Sequence, residues 1–149
     1  MANTRFAVAT HLLSFLTLAG DRLANSEEIA SSLQTHPALV RRMLSALREA
    51  DLVSTQPGPG GGARLGRSPE SISLLDVYKA IDDDDDLFAV ARMKTNPDCP
   101  LGANIQATLE CVLAAPRAAL HQALGRVTIR DVCERAQAAS GGEIGRAHV

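Results

Sequence analysis

Residues 25–67 read NSEEIASSLQTHPALVRRMLSALREADLVSTQPGPGGGARLGR, and their patterning decides the fold. Asn25 is a strong helix N-cap, and Glu28 stands where its carboxylate can reach back to complete a capping box. Ile29, Ala30 and Leu33 supply the apolar face of this helix, which stops at Thr35-His36. Pro37 opens the next helix, in a first turn where a missing N–H is harmless. Val40, Met43, Leu44 and Leu47 recur there at helical spacing, while Arg41, Arg42, Arg48 and Glu49 point elsewhere. Two short helices across a tight turn have the spacing of a helix-turn-helix. The extended stretch 52–56, the Gly-rich loop 57–62 and a second extended stretch 63–67 then predict a β-hairpin, placed where a wing follows the second helix.

Ahead of this stretch, residues 3–19 predict an opening helix with Phe6, Ala9, Leu13 and Leu16 as its buried stripe. Residues 71–81 read as a helix through Ile72, Leu75, Val77 and Tyr78. The five aspartates at 82–86 read as a solvated run capping a further helix at 87–93. Consecutive acids do not converge as calcium ligands do. After a loop at 96–100, residues 102–124 form a long helix with Ile105, Leu109, Val112, Leu113, Leu120 and Leu124 on one face. It carries few charges, so it needs a partner, and a second copy of the chain is the simplest one. Pro116 is expected to kink it. A short helix at 129–138 follows. The expected fold is mainly α with a small β-hairpin wing, a winged helix-turn-helix plus a long C-terminal dimerisation helix. The divisions are 1–80 for DNA binding, 81–101 for an acidic linker and sensor-type loop, 102–138 for dimerisation helices and 139–149 for a disordered tail.

Composition narrows the function classes. Apolar residues make up 46% of the 149, enough for a packed core, and aromatics only 3%, too few for a base-stacking RNA module. Net charge is −2, with a pI near 6.1, but the deficit is local. Residues 1–70 carry seven Arg against six acids, and residues 71–149 eight basic groups against eleven acids. No stretch is long and apolar enough for a membrane helix, and the start lacks the pattern of a cleavable signal. Three widely spaced cysteines argue against a disulfide framework and for a cytoplasmic setting. The loop GPGGGA lacks the Lys-Ser/Thr ending of a phosphate loop, and no nucleophile–base motif stands out, so no enzyme is expected.

The order of elements resembles the Rrf-two (IscR/NsrR/CymR-like) family of bacterial regulators. The resemblance is carried by FAVATHLLSFL, SEEIASSL with VRRMLSALREADLV, the wing GPGGGARLGR, SISLLDVYKAID and the late TIRDV, and spans residues 3–138. It implies a DNA-binding dimer joined through the long C-terminal helix. Several members hold an iron–sulfur cluster on three closely spaced cysteines just before that helix. Here Cys99 matches the first ligand and Cys111 can match the last, but Ile105 stands at the middle position. The stretch NPDCPLGANIQATLECVL is more similar to members without the cluster, so no cofactor is expected.

The candidate DNA-contacting residues are Ser26, the start of the recognition helix (His36, Pro37, Ala38, Leu39, Arg41 and Arg42) and, in the wing, Gln56, Arg64 and Arg67. Read alone, Arg41 and Arg42 would be a solvated helix face; the wing and the resemblance favour double-stranded DNA. Cys99 precedes a helix N-terminus, a setting that favours thiolate, and is the candidate redox sensor. Cys111 and Cys133 read as packing residues, and His11 and His121 have no metal-ligand partners at suitable spacing. The expectation is a homodimeric, sequence-specific repressor. The alternative is a winged-helix interaction module without DNA affinity.

Overall fold

A computed structural model describes residues 4–81 and 87–141. The aspartate run at 82–86 and most of the expected disordered tail lie outside the described residues. The elements in order are helices α1 (Arg5–Ala19), α2 (Ser26–Leu33) and α3 (Pro37–Glu49), strands β1 (Val53–Gln56) and β2 (Gly62–Leu65), then helices α4 (Leu74–Ile81), α5 (Pro100–Gly125) and α6 (Ile129–Ala139). Short 3₁₀ turns at Pro69–Ser71 and Val90–Arg92 join them.

The first helix is the centre of the core. Its buried face is wider than the expected stripe: Leu12 and Phe15 are buried with Ala9, Leu13 and Leu16, and Phe6 only in part. The reason is that α2, β2, α4 and α6 all pack on α1, so it is enclosed from several sides. The polar residues that interrupt its apolar run do not breach the core. The hydroxyls of Thr10, Ser14 and Thr17 donate to the carbonyls of Phe6, Thr10 and Leu13 at 2.9, 2.8 and 2.8 Å.

The next helices follow their local signals. Glu28 N–H donates to Asn25 Oδ1 at 2.8 Å and Asn25 N–H to Glu28 Oε2 at 3.0 Å, closing the capping box. Gln34 turns the chain in the left-handed region with φ 51°, and α3 buries Val40, Met43, Leu44 and Leu47. The strands pair antiparallel with Val53 opposite Leu65 and Gln56 opposite Gly62. The hairpin is also pinned to the α1–α2 connection. Ala24 N–H donates to Ala63 O at 2.9 Å and Ala63 N–H to Ala24 O at 2.8 Å. That approach requires glycine at 62, where a Cβ would lie 2.5 Å from Ala24 O.

Two expectations change downstream. The helix expected at 71–81 begins only at Leu74, because Ile72 is spent as a buried extended residue. Ser73 bridges Thr128, Leu74 N–H donates to Val127 O at 2.8 Å, and Ile129 N–H donates to Ile72 O at 2.9 Å. The starts of α4 and α6 are thus tied together, and each carries its own capping box, Ser73 with Asp76 and Thr128 with Asp131. The Asp131 carboxyl is held below the usual carboxylate value, mainly by the backbone N–H of Thr128 and then by its side chain. The helix expected at 87–93 is replaced by the single turn Val90–Arg92, entered through Ala89 at φ 56°. So short a segment has little intrinsic helicity, and only Val90 within it is buried.

The last two helices differ in character. α6 packs on α1 and contributes Ile129 and Cys133 to the core, with the Cys133 thiol donating to Ser14 O at 3.7 Å. α5 runs unbroken through Pro116 and buries no residue at all in the single chain. Its stripe residues Ile105, Leu109, Leu113, Leu120 and Leu124 are half-buried, and Val112 is 62% exposed. Cys111, expected to be a packing residue, is exposed.

Candidate nucleic-acid interface

Three elements converge on one groove: the start of α2, one face of α3 and the wing. Asn25 and Ser26 line it from α2, Arg41, Leu44, Ser45 and Arg48 from α3, and Thr55, Gln56 and the loop glycines from the hairpin. The spacing of Arg41, Ser45 and Arg48 places them on one helix face, successive turns apart. Beneath them Val40, Met43, Leu44 and Leu47 anchor α3 to the core, so the polar face is presented on a fixed support.

The wing is held to this face by the pleat of its strands. Val53 and Ala63 are buried, while Ser54, Gln56 and Arg64 are exposed. Arg48 Nη1 donates to Thr55 Oγ1 at 3.4 Å, which joins α3 to β1. At the tip a Cβ on Gly61 would lie 2.1 Å from Gln56 O, so the turn closes only with glycine there. Gln56 is thereby set at the groove's edge.

The sequence-predicted residues divide between this groove and other surfaces. Ser26, Arg41 and Gln56 are brought together in it. His36 caps the start of α3, where His36 and Ala38 are exposed and Pro37 and Leu39 are half-buried. This end of the helix is open to a ligand. Arg42 turns to the other flank of α3, where it lines a separate depression with Arg5, Leu39 and Met43. Arg64 lies on the far side of the hairpin, near Asp21 and Arg130. Arg67 lies past β2 and pairs with Asp76 at 2.9 Å, tying the wing's exit to α4. Arg48 also lines the groove, although the sequence reading did not place it among the candidates; its place seven residues after Arg41 is a legible signal for a shared helix face.

The three cysteines lie apart in the fold. Cys99 is the N-cap of α5 and is exposed. Cys111 lies on the same helix, about 18 Å further along at 1.5 Å per residue. Cys133 is buried beneath α1 with its thiol on the Ser14 carbonyl. One chain therefore cannot converge these three thiols on one centre. No group of three or more His, Cys, Asp or Glu suited to a metal occurs among the described residues. His11 contacts Ser32 at 3.2 Å, and the His121 ring packs against Tyr78 with centroids 6.0 Å apart.

A wing packed beside an exposed, arginine-bearing second helix defines a winged helix-turn-helix DNA-binding protein. The comparisons agree. A family model described as Rrf2, iron-dependent transcriptional regulator, matches residues 2–135. YwnA of Bacillus subtilis (strain 168), provisionally named an HTH-type transcriptional regulator, is 40% identical over 132 residues, 89% of this chain and 96% of its own length. A crystal structure provisionally described as a DNA-binding protein is 36% identical, superposes with a TM-score of 0.68 and covers 86% of this chain and 97% of that one. The global cysteine regulator CymR of B. subtilis shares the fold, with a TM-score of 0.66 at 20% identity over 91% of this chain and 97% of its own. The chain belongs to the Rrf2 family of transcriptional regulators. No helix among the described residues is long and apolar enough to cross a membrane.

Proposed function

We propose that the protein is a cytoplasmic, homodimeric repressor, not an enzyme, that reads double-stranded DNA through the groove between α3 and the wing. The observation that carries this is the convergence of Arg41, Arg48, Ser26 and Gln56 on one surface supported by the core. The start of α3 enters the major groove, where guanidinium and amide groups pair with base edges, and the wing follows the neighbouring backbone. Pairing of two copies along α5 accounts for a 26-residue helix with an apolar stripe and no buried residue. Such a dimer reads a palindromic site whose half-sites lie about 34 Å apart, one helical turn, or a multiple of it.

The dimer operates without an iron–sulfur cluster, a reading supported by the separated placement of the three thiols. Cys99, exposed at the start of α5, is the residue through which a thiol signal would act. A gel-shift titration against the protein's own upstream region at several salt concentrations tests DNA binding. Absence of any salt-dependent shift would leave the interaction-module reading instead. The visible spectrum of anaerobically purified protein tests the cofactor reading, and an iron–sulfur absorbance band would overturn it.

A further inference from the structure

Glu27 stands on the DNA-reading groove, where an acid opposes a polyanionic ligand. Arg41 Nη2 donates to Glu27 Oε1 at 3.2 Å, and the two side chains are 60% and 65% exposed. So exposed a pair adds little to the fold. The positive end of the α2 dipole also favours an acid there, but Glu28 already fills that role through the capping box and its pairing with Arg22 at 3.1 Å. Both members of the Glu27–Arg41 pair line the groove with Arg48 and Gln56.

We propose that Glu27 is a specificity-determining residue: by holding Arg41 it weakens the attraction of that guanidinium for phosphate and directs its remaining donors to base edges. The proposal rests on the DNA-binding reading above. A guanidinium neutralised by a carboxylate releases few counterions when it meets the DNA backbone, and the carboxylate repels the phosphate directly. Guanine O6 and N7 are neutral acceptors, and a guanidinium has five donors, so a base edge can be paired while one Nη stays on Glu27. Random-sequence DNA offers Arg41 only backbone and mismatched edges, so there the pair is a net penalty. Discrimination arises from a repulsive element as well as an attractive one.

The test uses the full chain, a random-sequence duplex and duplexes selected from a random library by the wild-type protein. Glu27→Gln keeps the shape and removes the charge. It should bind the random duplex more tightly at low salt, with the log–log salt slope steeper by about 0.9 for the phosphate contact released to Arg41. Between about 50 and about 200 mM salt this is an additional loss of about three- to fourfold in affinity. The ratio of selected to random affinity should fall. Adding Arg41→Ala to Glu27→Gln should remove the extra slope. An unaltered or shallower slope in Glu27→Gln overturns the proposal, as does extra slope that persists without Arg41. If the wild-type protein binds neither duplex, the DNA-binding reading itself falls, which is a separate outcome.

Discussion

In the dimer proposed above, replacing Leu113 by Asp should separate the two copies while leaving each copy folded. Leu113 lies on the stripe of α5 and is half-buried within one chain. Fully burying a leucine contributes about 1.5–3 kcal/mol, so the half left for a partner is worth roughly 1 kcal/mol per copy. Two symmetric copies lose about 2 kcal/mol, or about 30-fold in Kd. Two unpaired polar groups placed in the seam add at least about 1 kcal/mol each. The sum is about 4 kcal/mol, close to a thousandfold weaker dimer. Because α5 supplies no buried residue to the chain's own core, the helical circular dichroism should survive. Sedimentation velocity across a concentration series reads the dimer constant directly. A variant that stays dimeric at the wild-type concentration would show that the copies do not meet along this stripe.

Three further outcomes are expected. Arg41→Ala/Arg42→Ala removes one charge from each flank of α3 and should weaken DNA binding while lowering its salt slope by about 0.9, the phosphate contact of Arg42, since Arg41 is held by Glu27 and adds little to the slope; unchanged binding in a filter assay would exclude α3 as the reader. Gly62→Ala forces a Cβ against Ala24 O and should break the two Ala24–Ala63 hydrogen bonds, about 1–3 kcal/mol in all, loosening the wing and raising amide exchange of Ala24 and Ala63. The folded-state pKa of Asp131 is lowered, so the stability it contributes is full above the ordinary carboxylate value of 3.8 and is lost as pH falls through the lower folded value; the urea midpoints of wild type and Asp131→Asn should therefore differ at neutral pH and converge in acid.

Much of the reading half was legible because its signals are local. The Asn25–Glu28 box, Pro37 at a helix start and the glycines of the wing each act within a few residues, and each element formed where its signal stood. The extra burial on α1 was not legible, since four elements close on that helix from distant parts of the chain. Nor was the fate of residues 87–93, where a weak helical pattern buries only Val90 and shrank to one turn.

The candidate site divides in the same way. The helix pair, the wing and the arginines at the start of α3 can be read from neighbouring residues alone, because periodicity and capping are local properties. Which of those arginines share a surface depends on how distant elements pack. Arg41 and Arg48 face the groove with Gln56, Arg42 leaves by the opposite flank of the helix, and Arg67 is drawn away to Asp76. Glu27 and Arg41 are fourteen residues apart in the chain and 3.2 Å apart in space. Their meeting depends on the angle at which α2 packs against α3, and that angle is set by the shared core beneath both helices.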